Sequence, residues 1–244
     1  MKLDILAIGV HPDDIELSCA GTLINAALQG KKTGVVDLTA GELGTRGTPE
    51  IRLQEAANAA KIMGLQVREN LFLKDGFFRN DEKEAMRKII AAIRKFQPTI
   101  VIANALEDRH PDHGRAGKMI AECCYYSGLR KIETKDENEN QQNAWRPKQV
   151  LHIIQDRYYT PNLVVDISNV MEQKMKAILA YESQFYNPNS NEPNTYISSP
   201  MFMEGIKARS IQFGKSIGID YGEGFTIVNP VGINDLSALV GGLS

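Results

Sequence analysis

The chain has 244 residues, 43% of them hydrophobic, enough to bury a substantial core, and α/β chains of this length are often one domain. Lysine plus arginine (28) nearly balances aspartate plus glutamate (30), a net charge of -2 that argues against nucleic acid as a partner and points to a small substrate. Only about eight mostly apolar residues separate Lys2 from His11, too few for a signal-peptide core with its cleavage site or for a membrane span, so a soluble cytoplasmic protein is expected.

Residues 3–10 read as a buried strand, 15–29 as a largely apolar helix closed by Gly30, and 33–39 as the next strand, together a βαβ unit. Thr48 as N-cap, with Pro49 at the first helical position, opens a helix that runs to Met63 and stops at Gly64. A short strand follows over 70–73. Asp81 with Glu84 has the spacing of a capping box, and Met86, Ile89, Ile90, Ile93 and Phe96 keep helical spacing until Pro98. Residues 99–103 are a buried strand and 113–127 another helix.

Residues 131–147 are polar, rich in Asn, Gln and Glu, without apolar period, and read as a loop or mobile insertion. Strands are expected over 150–155 and 163–166, and an amphipathic helix over 168–181 with Val170, Met171, Met175, Ile178 and Leu179 inward. Residues 187–200 are turn-rich. A helix over 202–213, a turn at Tyr221-Gly222-Glu223-Gly224 and a strand over 225–228 follow. No internal repeat is visible. The alternation predicts an α/β fold: a Rossmann-like, mostly parallel sheet with helices on both faces, in a single domain over 1–244 that carries 131–147 as an insertion. Cys19, Cys123 and Cys124 lie in helix-like stretches, where free cysteine behaves as a small core residue.

His11-Pro12-Asp13-Asp14 ends the first strand, and His110-Pro111-Asp112-His113 stands just beyond the 99–103 strand; together they hold three of the four histidines. In a parallel α/β sheet both groups lie at the carboxyl edge, where such folds build their sites. Asp13 and Asp14 fall in the first turn of a helix, whose unpaired amides favour negative charge, so both are expected to be ionised at neutral pH. Adjacent helical residues point roughly 100° apart, so one carboxylate can face a metal while the other faces its open coordination position. A lone Asp-Asp pair would be read as a cap. The flanking histidines favour a metal site, because two histidines and one carboxylate leave a position open for water or substrate. A metal there suits amide hydrolysis, with a spare carboxylate taking a proton from water and His110 serving the oxyanion or the leaving amine. His152 interrupts a strand and reads as a structural histidine.

These residues resemble the LmbE-like, or PIG-L, family of zinc-dependent N-acetylglucosaminyl deacetylases, whose signatures H-P-D-D-x-E and H-P-D-H-x-x-x-G are matched here by His11 to Glu16 and His110 to Gly117. The resemblance extends through Gly41 to Gly47, Arg52 with Glu55, Ser198-Ser199-Pro200 and Tyr221 to Phe225, and that wider set is similar to the bacillithiol-biosynthesis branch. It implies Zn2+ held by His11, Asp14 and His113, with Fe2+ or Co2+ as alternatives. It further implies Asp13 as general base, His110 at the oxyanion or delivering the proton, and Asp112 orienting an imidazole. The implied substrate is N-acetylglucosaminyl malate, deacetylated to glucosaminyl malate, and the implied assembly is a homo-hexamer. Arginine suits a dicarboxylate because its planar fork binds carboxylates bidentately, which makes Arg46, Arg52 and Arg109 candidates for substrate contact, with Glu42 for a sugar hydroxyl. Arg52 and Glu55 also have the spacing of an ordinary helical ion pair. No role follows for Tyr196, Glu204, Arg209 or Glu223.

Three other functions compete. Another conjugate of N-acetylglucosamine, with inositol or a second sugar, would use the same machinery. Two histidines and a carboxylate also form the face of a non-haem iron oxygenase, against which the spare Asp13 and the sheet-edge location weigh. A sugar- or nucleotide-binding module without chemistry would use the same sheet, but two carboxylates where a dinucleotide fold places G-x-G-x-x-G would repel a pyrophosphate.

Overall fold

A computed structural model describes residues 1–79 and 82–236. The apolar run near the amino terminus forms the interior strand β1 (Ile5–Gly9), flanked by β2 (Thr33–Asp37) and β4 (Ile100–Ala103), both parallel to it. Outside these lie β3 (Val67–Asn70) and β5 (Gln149–Ile153), also parallel. β7 (Gly222–Ile227) pairs antiparallel with β5, and β6 (Leu163–Asp166) antiparallel with β7, giving the order β3-β2-β1-β4-β5-β7-β6. Ile8 lies opposite Ala103, so the segments leaving β1 and β4 emerge side by side at one carboxyl edge. The expected mostly parallel α/β sheet is therefore found, with an antiparallel edge.

Alternation along β1 explains the layers. Leu6 and Ile8 pack with Ile89, Ile93, Met119 and Ile120 of α3 (Lys83–Phe96) and α4 (Pro111–Tyr126). Ala7, on the opposite face, packs with Ile15, Leu23 and Ala177 of α1 (Asp14–Leu28) and α5 (Met171–Leu179). Two further helices, α2 (Pro49–Met63) and α6 (Pro200–Lys215), complete the fold. Thr48 caps α2 by accepting from the Ile51 amide, and Gly64 ends it in the left-handed conformation, as the sequence predicts. No helix among the described residues is long and apolar enough to cross a membrane.

Several expectations are corrected. Strand β3 lies at Val67–Asn70, ahead of the expected 70–73; Leu71 and Leu73 still donate to the Asp37 and Leu38 carbonyls, but the Asn70 side chain turns to the Thr39 carbonyl and ladder pairing ends there. The Tyr221 to Gly224 stretch is no turn: Gly222 opens β7, where a Cβ would come within 2.6 Å of Val164. On α5, Leu179 is exposed while Lys174 is buried. The polar 131–147 segment is a loop but is pinned: Trp145 Nε1 donates to the Pro98 carbonyl at 2.8 Å, and the Arg94 guanidinium reaches the carbonyls of Ser127, Leu129 and Ile132. Asp81 of the expected capping box lies outside the described residues. The three cysteines are buried and free, and burial pushes the Cys124 thiol up to about 12.

Helix α1 breaks at Cys19, whose φ of -145° is not helical, and the amides of Gly21 and Thr22 after the break would lack partners. The Glu223 carboxylate supplies them at 3.0 and 2.7 Å, and Lys174 Nζ neutralises it at 2.7 Å, both side chains being buried. Glu223 is thus an internal helix cap.

Candidate active site

The two His-Pro-Asp segments meet. One ligand atom from each of His11, Asp14 and His113 lies within 4.8 Å of the others, a group able to hold a metal ion. His113 Nε2 stands 3.2 Å from Asp14 Oδ1 and 3.3 Å from His11 Nδ1. Gly117 permits this approach: a Cβ there would lie 2.6 Å from the Ala105 carbonyl, so only glycine lets α4 cross the end of β4 this closely.

Carboxylates that sequence reasoning missed set the imidazoles. Asp75 Oδ1 lies 3.1 Å from His11 Nε2, and Asp108 Oδ2 lies 2.6 Å from His113 Nδ1. An ionised carboxylate only accepts, so those nitrogens carry protons, and His11 Nδ1 and His113 Nε2 are the nitrogens that face the cluster. Burial alone would lower the His113 imidazole, but Asp14 and Asp108 outweigh it and push it up to about 10. The site is thus built to hold positive charge, and two imidazole nitrogens with one carboxylate suit a divalent ion such as zinc.

Burial would raise Asp14; instead His113, His11 and Gln155 hold it well below the usual carboxylate range. Its Oδ2 accepts from the amides of Val10 and His11 and from Asn104 Nδ2, each at 3.1 Å, and its Oδ1 from Gln155 Nε2 at 2.8 Å. Asn104 and Gln155 lie just beyond β4 and β5, and neither carried a sequence signal. The signal for Asp75 and Asp108 was general: each ligating histidine needs a carboxylate or carbonyl for its second nitrogen, and both aspartates stand near the carboxyl edge.

Asp13 differs from its neighbour. Its φ of 131° is strained for an L-residue, and its side chain makes no capping hydrogen bond. It is buried and faces Arg52 Nη2 at 3.2 Å. Burial pushes it up to about 7 against the opposing pull of Arg52, so the expectation that both acids are plainly ionised at neutral pH holds for Asp14 and is corrected for Asp13. Arg52 is not paired with Glu55, which accepts from the Ser183 amide and hydroxyl; the guanidinium also reaches Gln184 Oε1 at 2.6 Å.

His110 is the N-cap of α4. Its Nδ1 accepts from the Asp112 amide at 3.3 Å, so its other nitrogen carries the proton of the neutral ring. The ring stacks on His113 with centroids 4.9 Å apart, and burial with the neighbouring imidazoles lowers its pKa. Asp112 meets the His110 imidazole through its backbone amide, while its carboxylate accepts from the Phe78 amide and from Arg115, because the first turn of α4 aims it at the 71–79 loop.

Of the remaining candidates, Arg46 is turned away from substrate duty, all three of its nitrogens donating to Ser183, Ser190 and Pro193. Glu42 accepts from the Asp75 amide and so steadies the loop that orients His11. Arg109 is half exposed, bonded to Asp156 at 2.9 Å and lying over the Tyr196 ring; Tyr196 donates to the same Asp156. Arg209 donates to the Leu17 carbonyl, and Glu204 faces Lys207 on the surface. His152 faces the Asn104 carbonyl at 2.9 Å, a structural position.

Comparison with known proteins supports the same chemistry. The family model for GlcNAc-PI de-N-acetylase (PIG-L) matches residues 6–124, which include both His-Pro-Asp segments. The diacetylchitobiose deacetylase of Thermococcus kodakarensis is 29% identical over 236 residues, 92% of this chain and 82% of that one. A probable N-acetyl-alpha-D-glucosaminyl L-malate deacetylase 2 of Bacillus anthracis is 24% identical over 196 residues, 74% of this chain and 81% of that one. The crystal structure of a conserved protein from Thermus thermophilus superposes with a TM-score of 0.84 at 35% identity, covering 96% of this chain and 98% of that one. The similarity to deacetylases identifies an amidohydrolase, whose site gathers residues able to hold a metal ion. Over residues 6–124 the chain is similar to the PIG-L, or LmbE-like, family of deacetylases.

Proposed function

We propose that this deacetylase removes the acetyl group from N-acetylglucosaminyl L-malate, as in the route to bacillithiol, with His11, Asp14 and His113 holding Zn2+, or Fe2+ or Co2+ in its place. The observation that carries the chemistry is the buried Asp13 carboxylate beside that cluster, free of any capping duty. The bound ion would polarise the acetyl carbonyl and make a water more acidic.

The remaining work falls to the chain's own residues. Asp13, held by Arg52, takes the proton from the attacking water and passes it to the departing amine, so that water and amide become acetate and amine. His110 gives its ring N–H to the oxygen on which negative charge develops. The acidic aglycone is supported by the groove beside His110, where Arg79, Arg115, Lys118 and Arg157 outnumber Glu107, Asp108 and Glu122, with Arg109 nearby in sequence as a further carboxylate partner. Arg52 acts on substrate through Asp13, and Glu42 through the loop of Asp75. A neutral disaccharide is the second candidate, favoured by the diacetylchitobiose deacetylase among the relatives.

Metal-loaded protein incubated with N-acetylglucosaminyl malate, diacetylchitobiose and an uncharged N-acetylglucosaminide separates these substrates through the free amine released. Preference for the malate conjugate by about tenfold or more in kcat/KM, roughly 1.4 kcal/mol, is expected; equal or better turnover of diacetylchitobiose would overturn the malate assignment. A cytoplasmic homo-hexamer is proposed with it, and light scattering reads that mass.

A further inference from the structure

Phe77 is 81% exposed, and its backbone has a φ of 59°. Each is unfavourable by itself: an exposed benzyl group leaves apolar surface in water, and a bulky residue in the left-handed region meets steric conflict at its Cβ. No burial of the side chain offsets either, the pattern of strain retained at a functional position. The backbone that carries the ring is nonetheless tied down on both flanks of its turn. Asp75 faces His11 and accepts from the Leu43 amide at 3.0 Å, while Phe78 is buried and its amide donates to Asp112 at 3.2 Å. Phe77 is therefore anchored to both His-Pro-Asp segments.

Beside it opens a groove of about 1010 Å3 that Phe77 lines together with Leu106, His110, Pro111, Arg115 and Arg157. This is at the upper end of small-ligand sites, with room for more than an acetyl group and its amide. Its lining joins the Phe77 ring to charged hydrogen-bonding groups of both signs, Arg115 and Arg157 with Glu107 and Asp108. A pyranose has matching surfaces, since axial C–H groups with slight positive charge cover one face, complementary to the negative face of an aromatic ring, while hydroxyls ring its edge.

We infer that Phe77 is a stacking platform for a hexopyranose ring of the substrate, a specificity-determining residue for ground-state binding. It rests on the deacetylase function proposed above. The two variants that test it are Phe77→Asn, which tolerates the left-handed backbone without an aromatic face, and Phe77→Trp, which enlarges that face. Phe77→Asn is expected to raise KM for the N-acetylglucosaminyl substrate about tenfold, with kcat, metal content and subunit mass unchanged and Tm at or above that of the wild type. Phe77→Trp is expected to hold KM within about threefold of the wild type, or to lower it.

An unchanged KM in Phe77→Asn would overturn the platform, as would a fall in Tm accompanied by a change in subunit mass, which would show the ring packing in an interface. Calorimetry with N-acetylglucosamine separates this failure from that of the enzymatic assignment. A wild type that binds the sugar but releases no acetate overturns the deacetylase function, whereas equal affinity of wild type and Phe77→Asn overturns the platform.

Discussion

His11-Pro12-Asp13-Asp14 and His110-Pro111-Asp112-His113 are near copies in sequence and stand at neighbouring strand ends, yet only their last positions, Asp14 and His113, share a task as members of the metal-ion cluster. His11 belongs to that cluster, whereas His110 caps a helix and presents its second nitrogen. Asp13 is buried against Arg52 with its pKa raised, whereas Asp112 holds the Phe78 amide. The two imidazoles of the second segment shift in opposite directions, His113 up beside carboxylates and His110 down beside other imidazoles. What surrounds each segment assigns the roles: α2, Asp75 and Gln155 bond to the first, while Asp108 and the Phe78 amide bond to the second.

The largest test of this contrast removes what both segments share. Chelation is expected to abolish turnover, with recovery on adding a divalent metal, and to lower Tm, since an ion at a hundred times its Kd stabilises by about 2.7 kcal/mol. Next come the third positions. Asp13→Asn should lower kcat by roughly 10²–10⁴ with metal content retained, whereas Asp112→Ala should keep its metal and lose about 1 kcal/mol of stability with the Phe78 hydrogen bond; equal kcat losses by the two variants would erase the contrast. Smaller again is the contribution of the orienting carboxylates: Asp75→Ala and Asp108→Ala should each weaken metal binding about 10–100-fold by titration calorimetry.

A separate effect is on pH dependence. With its pKa at about 10 in the folded metal-free protein against an ordinary 6.5, His113 contributes stability that is fully present below pH 6.5 and lost as pH rises toward 10. The Tm of metal-free protein should fall across that window, and His113→Ala should flatten the slope. A wild-type slope of opposite sign would contradict the environment described for His113.

The sheet was legible because its strands are short apolar runs separated by cap signals such as Thr48-Pro49 and Gly64, which act locally. The metal-ion cluster was legible because histidine is scarce here and both groups follow strands. Asp75 was not, since an Asp-Gly in a loop looks like a turn until His11 is placed beside it. Glu223 hid for a related reason: its partners, the amides exposed at the Cys19 break, lie about two hundred residues away. Arg46 misled because an arginine near the site has the right chemistry for a carboxylate, but its donors meet the 183–193 segment first.

Hydrophobic period, helix caps and the repeated His-Pro-Asp pattern, all properties of neighbouring residues, determined the α/β architecture and which side chains gather at its carboxyl edge. Only the tertiary structure decided which nitrogen of each imidazole faces the cluster, which aspartate burial pushes up to about 7, and which arginine stands beside it. Proton position and charge depend on the dielectric and on partners within a few ångströms, and here Arg52, Asp75, Gln155 and Gln184 meet their partners across 39 to 141 residues of chain.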